Sequence, residues 1–477
     1  MRPRLAPLLV GIALLGGSPA THAQDGMLTP PSNHYFVSKG SWGQPVADQW
    51  ALQRIGFDDS PNSAWRLVKA NAQPVVVGVI DTGLDWYHQN IDPENIWTNP
   101  KEIAKNGIDD DHNGYVDDII GWDFVDRDNR PWDYDGHGTL IAGIIAASWK
   151  DKDGMAGVNP FAKLMILKAL NNFGHTRSSY VAEALTYAAD NGARVVNLSV
   201  GGAEKITSIE QAAVDYAYSK GVVIVVAAGN EAADISQYGI ASTDKVLTVA
   251  ASGFDDQRAA FSNWGKIAVT APGVDILSLR ARRTDVMLGV EGAKYTPGQA
   301  YVGDDKRHYR ASGTSFAAPF VTGLASLMIA NDPSLTNQQV MNIIKSTARD
   351  VGTPGVDQYT GYGIVDAAAA LKAPKDYFLL AGISRVEVVK KGGGQVVRLH
   401  GTADGNALKS ARLEIGAGET PASWKPVGTV QKSAGPDTTL GDIPASAFRG
   451  SPLWQIRVVV THDSGATREA RFRLSLN

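Results

Sequence analysis

Two kinds of pattern succeed one another along the chain, and together they predict an α/β fold with a doubly wound, mostly parallel sheet followed by a smaller C-terminal β-sandwich. The first pattern is a set of continuous apolar runs at 75–81, 163–168, 195–200 and 222–228, with helical spacing between them at 181–190 and 209–219. Runs that are apolar at every position suit strands buried on both faces. Strand, helix, strand repetition suits a parallel sheet with its site at the carboxyl ends of the strands. The second pattern begins after Ala373-Pro374-Lys375, where short alternating stretches at 385–389, 411–415 and 455–460 are split by Gly, Pro, Asn and Asp turns.

The boundaries follow in chain order. Arg2 and Arg4 precede an apolar run at 8–15 and then Ser18-Pro19-Ala20-Thr21-His22-Ala23, which reads as an export signal over 1–23 with cleavage after Ala23. Residues 24–47 form a polar N-terminal extension, 48–373 the first domain and 374–477 the accessory β-domain. The 477 residues leave room for two or three domains, and 44% apolar with 20% charged residues is an ordinary globular balance. A net charge of -4 gives no reason to expect nucleic acid or an anionic membrane as partner. With no cysteine, disulfides and a lipid-modified cysteine are both excluded, so the exported chain is expected to rely on its core and on metal ions.

Three stretches carry chemistry. The run at 75–81 ends in Asp81-Thr82-Gly83, which puts a carboxylate at the carboxyl end of a buried strand. Asp135-Gly136-His137-Gly138-Thr139 opens an apolar, small-residue helix with a histidine between glycines. Gly313-Thr314-Ser315-Phe316-Ala317-Ala318-Pro319 opens another, placing the Ser315 hydroxyl at the positive end of the helix, with Pro319 expected in the first turn, where the N–H has no partner. Each stretch alone is an ordinary strand end or helix start. In the order Asp, His, Ser they resemble the subtilisin-like serine proteases, the subtilase family, of the secreted bacterial type with a C-terminal accessory β-domain.

That resemblance implies a secreted serine endopeptidase in which Ser315 attacks, His137 carries the proton and Asp81 orients the imidazole. Asn230, which follows Ala228-Gly229, matches the family's oxyanion asparagine, with the Ser315 N–H as its partner. Ser199, Val200 and Gly201 match the edge segment that pairs with substrate backbone, and Ala228 and Gly229 match the opposite wall of the first specificity pocket. Main-chain pairing implies protein or peptide substrates of broad sequence. A monomer with no organic cofactor and no membrane anchor after signal removal is expected.

The sequence also departs from the family. Leu140 stands where most relatives have a second histidine, and Asn90 where they have an ion-binding aspartate, with His88 expected to be packed and structural. The extension leaves too few residues for a folded propeptide, since segments below ~40 residues rarely fold unaided. The stretch 280–310 reads as an inserted loop bordering the cleft. A non-catalytic adhesin that keeps the motifs is the alternative reading.

One further motif lies in the insertion between Asp85 and His137. Asp109, Asp111 and Asn113 at alternate positions, Gly114 in sixth place, the Tyr115 carbonyl and Asp117 match the first nine positions of a calcium loop, with Ile120 where the twelfth-place glutamate belongs. Calcium is the expected structural cofactor; a solvated acidic turn is the competing reading.

Overall fold

The computed structural model describes residues 26–202, 204–282, 284, 299–432 and 438–476. The expected export signal, and most of the 280–310 insertion between its two anchored ends, lie outside the described residues.

Two short helices, α1 (His34–Val37) and α2 (Trp50–Arg54), lead into β1 (Val75–Asp81). The central sheet adds β2 (Gly121–Asp123), β3 (Ala162–Lys168), β4 (Val195–Leu198), β5 (Val223–Ala227), β6 (Leu247–Ser252) and β7 (Val269–Pro272) in the order β2-β3-β1-β4-β5-β6-β7, every pair parallel. The expected doubly wound sheet is therefore present. Side chains alternate across it: Val75, Val77 and Val79 join one core, while Ile80 joins the other with Leu167, Leu198 and Val226. Each fully buried aliphatic side chain of this kind contributes roughly 1.5–3 kcal/mol.

The first core is covered by α3 (His137–Ala146), α6 (Thr314–Asn331) and α7 (Asn337–Thr347); the second by α4 (Ser178–Asp190) and α5 (Ser208–Ser219). Thr207 with Glu210 and Thr336 with Gln339 form capping boxes that start α5 and α7. By length and composition α6 could cross a membrane, but its apolar window is 89% buried, so it is a core helix. A three-stranded antiparallel sheet, β8 (Ile276–Leu279), β9 (Tyr301–Val302) and β10 (His308–Ala311), lies on the α3 side. α8 (Ala367–Lys372) follows.

Beyond it, β11 (Leu379–Lys391), β12 (Gly394–Gly405) and β15 (Thr439–Pro444) form one antiparallel sheet. β13 (Leu408–Ala417), β14 (Lys425–Thr429), β16 (Leu453–His462) and β17 (Thr467–Ser475) form a second. Leu399 and Ile443 of one sheet share a core with Leu413, Ile456 and Val458 of the other, a sandwich arrangement. This unit is not loosely tethered. Arg468 of β17 reaches the end of α7 and donates to Ser346 O (2.6 Å), Ala348 O (2.9 Å) and Tyr362 O (3.2 Å).

Candidate active site

The carboxyl ends of the parallel strands gather the three motif residues. Asp81 closes β1, is fully buried, and accepts through Oδ1 from the Thr82 N–H (2.8 Å) and from His137 Nδ1 (2.7 Å). His137 opens α3 after Gly136, whose φ of 111° is a left-handed turn open to glycine. The backbones of the two motifs must nearly touch for this pair to form. A Cβ on Gly138 would sit 2.2 Å from Gly83 O, so glycine there is a condition of the Asp81–His137 contact.

The segment before His137 is wrapped around Asp133, which is fully buried. Its Oδ1 accepts from Thr82 Oγ1, Asp135 N and Gly136 N, and its Oδ2 from Thr139 N and Oγ1. The electrostatics at His137 follow from these carboxylates. Burial alone pushes the imidazole pKa down, but Asp81, then Asp135 and Asp133, more than offset it and raise it above the ordinary 6.5. Burial likewise lifts Asp135 to about 6, with Asp133 adding to it. Asp133 did not stand out in the sequence and Asp135 did so only as the start of the histidine motif, with no role assigned; the one signal is an Asp-x-Asp-Gly turn ahead of a helix.

Ser315 is the second residue of α6, so its N–H belongs to the first turn and has no intrahelical acceptor. Its Oγ donates to Ser199 O at 3.2 Å, and among the described residues no hydrogen bond joins it to His137. In unliganded hydrolases such bonds tighten on substrate binding. Asn230, in the loop after β5, accepts through Oδ1 from Thr314 N (2.8 Å) and Thr314 Oγ1 (3.0 Å); its Nδ2, which makes no hydrogen bond among the described residues, lies 3.5 Å from where a Cβ on Gly313 would sit. Gly229 N donates to the same Thr314 hydroxyl (2.9 Å), tying the loop to the start of α6.

Of the expected substrate walls, Ser199 bonds directly to Ser315. Val200 and Gly201 line a cavity of about 410 Å³ with Gly174, Val181 and Ile240. Ala228 and Gly229 lie at the end of β5, on the Asn230 side. Lys168, which no motif picks out, is almost wholly buried and donates to Thr82 O (3.0 Å) and Asn172 Oδ1 (3.0 Å), tying the residue after Asp81 to the loop beside this cavity.

This arrangement agrees with what the chain is similar to. The Subtilase family, Peptidase_S8, matches residues 72–363. The chain belongs to the subtilase family. It is 35% identical over 309 residues to a thermophilic serine proteinase of Bacillus sp. (strain AK1), covering 65% of this chain and 64% of that one. It is 34% identical over 272 residues to thermitase of Thermoactinomyces vulgaris, covering 57% of this chain and 87% of that one. Among solved structures, proteases from Pseudoalteromonas arctica superpose with a TM-score of 0.52 at 27% identity, over 72% of this chain and 98% of that one.

The structure also places Asn90, His88 and Leu140. Asn90 does not fit a cation: its amide donates to Ser148 O (3.0 Å) and Met155 O (3.2 Å), and the Asn33 amide donates to Ser148 O (3.0 Å) and Asp151 O (2.6 Å). Two neutral amides, Asn33 and Asn90, thus hold the 148–155 loop through its carbonyls. His88, 3% exposed, packs with His308, and Leu140 is buried in the core, both as expected.

The acidic insertion differs from its expected ligand set. Asp109 and Asp111 come together, and Asp109 receives Asn113 N and Gly114 N as a first-position loop residue does. Asp117 does not join them, because its carboxylate turns to the backbone N–H groups of Asn106 and Gly107. The third carboxylate is Glu102, whose oxygens are fixed by Asp110 N, Asp111 N and Asp117 N; oxygens of Glu102, Asp109 and Asp111 lie within 4.8 Å of one another. Asn113 Nδ2 donates to Asp118 Oδ2, and Tyr115 directs its hydroxyl to Glu183.

Proposed function

We propose that this chain is an exported serine endopeptidase of broad specificity, monomeric, acting on protein or peptide substrates through an acyl-enzyme. The observation that carries the reading is the convergence of a buried Asp81–His137 pair, 2.7 Å apart, with Ser315 and Asn230 at the start of α6. The apolar stretch at 8–15 behind Arg2 and Arg4 supports export. The chain spans 64% of the Bacillus proteinase's length, and its own activity is inferred from the site.

The chemistry runs as follows. Ser315 Oγ attacks the scissile carbonyl as His137 Nε2 takes its proton. Asp81, bonded to Nδ1, holds the ring in the tautomer that can accept it and stabilises the imidazolium formed. Asn230 Nδ2 and the Ser315 N–H donate to the oxyanion. His137 then protonates the leaving amine, and water reverses the sequence to release the acid. Extended substrate laid along 199–201 bonds through its main chain, which favours breadth over side-chain selection.

Calcium belongs to the same proposal as a structural ion. The donors that suit a hard cation are the carboxylates of Glu102, Asp109 and Asp111 with the oxygen of Asn113. When bound, the ion supplies charge neutralisation to the insertion and takes no part in the reaction.

The deciding experiment is casein cleavage by Ser315→Ala. Loss of turnover by about 10⁴-fold or more is expected. A variant that cleaves at the parent rate would favour the adhesin reading.

A further inference from the structure

Asn263 has no place in the reaction steps, yet four of its side-chain hydrogen bonds go to the loop that presents Asn230. It lies in Phe261-Ser262-Asn263-Trp264-Gly265, between β6 and β7, and is fully buried. Its Nδ2 donates to Ala228 O (2.9 Å) and to Glu231 Oε2 (2.8 Å); its Oδ1 accepts from Glu231 N (3.0 Å) and Ala233 N (2.8 Å). Its backbone N–H donates to Gly229 O (3.0 Å). Glu231 Oε2, held by that amide, in turn accepts from the Asn230 N–H at 2.9 Å.

These contacts fall on both sides of Asn230, beside other bonds that hold the loop at Gly229 N (to Thr314 Oγ1, 2.9 Å) and Ala232 N (to Phe261 O, 2.8 Å). Ala232 takes a left-handed φ of 54° and Gly229 one of 101°. A Cβ at Gly229 would meet Asn263 Nδ2 at 2.3 Å, so the loop is shaped around this one amide. Asn230 is thus gripped twice. Thr314 fixes its side-chain oxygen, while Asn263 and Glu231 fix its backbone.

Oxyanion donors contribute only when they are held in place before charge develops, and an error of about 1 Å can cost on the order of 10²-fold. We infer that Asn263 is a positioning residue that sets where Asn230 Nδ2 meets the oxyanion; the inference rests on the peptidase reading above. It acts through Asn230 and touches no substrate.

The test is a double-mutant cycle on a chromogenic peptide, with Asn263→Ala and Asn263→Asp each made in the parent and in Asn230→Ala. Asn263→Asp keeps the side chain's volume and its Oδ1 acceptor, loses the Nδ2 donors and sets a carboxylate against Glu231, so it serves if the alanine variant does not fold by circular dichroism. In the parent, either change is expected to lower kcat roughly ten- to a hundredfold with KM within about twofold. In Asn230→Ala the same change is expected to cost no more than about twofold, because the group it positions is gone. A full loss that recurs in the Asn230→Ala background, or no loss in the parent, overturns the inference and leaves Asn263 a structural staple. Hydrolysis that survives Ser315→Ala overturns the peptidase reading itself, and the inference with it.

Discussion

Ser199 and Ser315 hydrogen-bond to each other twice: Ser199 Oγ donates to Ser315 O at 2.9 Å, and Ser315 Oγ donates to Ser199 O at 3.2 Å. The first bond exists because of Pro319. That proline is the sixth residue of α6, past the first turn in which the sequence reading placed it, and its ring nitrogen cannot donate to the carbonyl four residues back. The freed carbonyl belongs to Ser315. It is taken by Ser199 Oγ, and the bond extends inward through Asn197 Nδ2 to Ser199 Oγ (2.8 Å) and Thr322 Oγ1 to Asn197 Oδ1 (2.8 Å).

Ser199→Ala should therefore leave a buried carbonyl and a buried amide short of partners, at about 1–3 kcal/mol in chemical denaturation. Because both the nucleophile and the substrate edge lose registry, kcat is expected to fall and KM to rise, each by roughly three- to tenfold. Unchanged kinetics would show that the pair only fills hydrogen bonds in the free protein.

Activity should report the carboxylates around His137. The base must be neutral, and Asp81, Asp135 and Asp133 together raise its pKa above 6.5 despite burial. The acid limb of kcat/KM should accordingly lie above pH 6.5 and activity should rise with pH through it. Asp135, itself lifted to about 6, is largely ionised across that limb and favours the imidazolium. Removing its charge in Asp135→Asn should move the limb to lower pH, while Asp135→Glu should leave it near the parent. A limb that stays put in Asp135→Asn would show that Asp81 alone sets the value.

How much of this was legible in the sequence depends on the range of the interactions. Strands buried on both faces betray themselves locally, and β1, β3, β4 and β5 lie within two residues of the apolar runs. β2 has three residues, too few for any periodicity, and β17 is broken up by Arg468, Glu469, Arg471 and Arg473, charges with partners elsewhere in the fold, such as Arg457 of β16 for Glu469. The same holds at the site. Asp81, His137 and Ser315 sit in recognisable local settings, whereas Lys168 and Asn263 are tied to partners tens of residues away, and Asp133 closes a local turn whose link to Thr82 the spacing does not show. In the acidic insertion the local spacing identified Asp109 and Asp111 but placed Asp117 among them, since nothing in the spacing shows that the chain folds back to bring Glu102.

Calcium should act on stability and not on chemistry. With Ser315→Ala to prevent self-digestion, the melting midpoint should rise with calcium and fall with chelator. Stabilisation would be roughly 2.7 kcal/mol at a hundredfold excess over Kd. Glu102→Gln should abolish most of the response, and Asp117→Asn should keep it, because only the first carboxylate faces the cluster. Equal midpoints with and without calcium would leave the insertion a solvated acidic turn.

At Asn90 the expectation is reversed. Asn90→Asp replaces two donated bonds with a carboxylate facing Ser148 O and Met155 O, which costs several kcal/mol unless a cation enters between them. Its midpoint should drop in chelator and recover in calcium, a second response the parent lacks. A variant indifferent to both would mean that the amides add nothing there.

The C-terminal sandwich should stabilise the catalytic unit through Arg468. Its guanidinium meets the carbonyls of Ser346 and Ala348, oxygens that the end of α7 leaves without intrahelical donors, and that of Tyr362 in the loop that follows; a cation there also suits the negative end of α7. Leu379 N donates to Ser346 Oγ (3.0 Å) and Val356 bridges Ala470, so the contact is continuous from the first strand of the sandwich to the last. Arg468→Ala, again in Ser315→Ala, should lose about 2–4 kcal/mol, since charged hydrogen bonds are removed and their buried acceptors remain. A chain ending at Ala373 loses the same contacts and exposes the α7 end. It should still cleave short peptides at low temperature, because none of the groups around Ser315 lies beyond that point, but it should melt well below the full chain. Arg468→Ala with the parent's midpoint would show that the sandwich is carried along without supporting its neighbour.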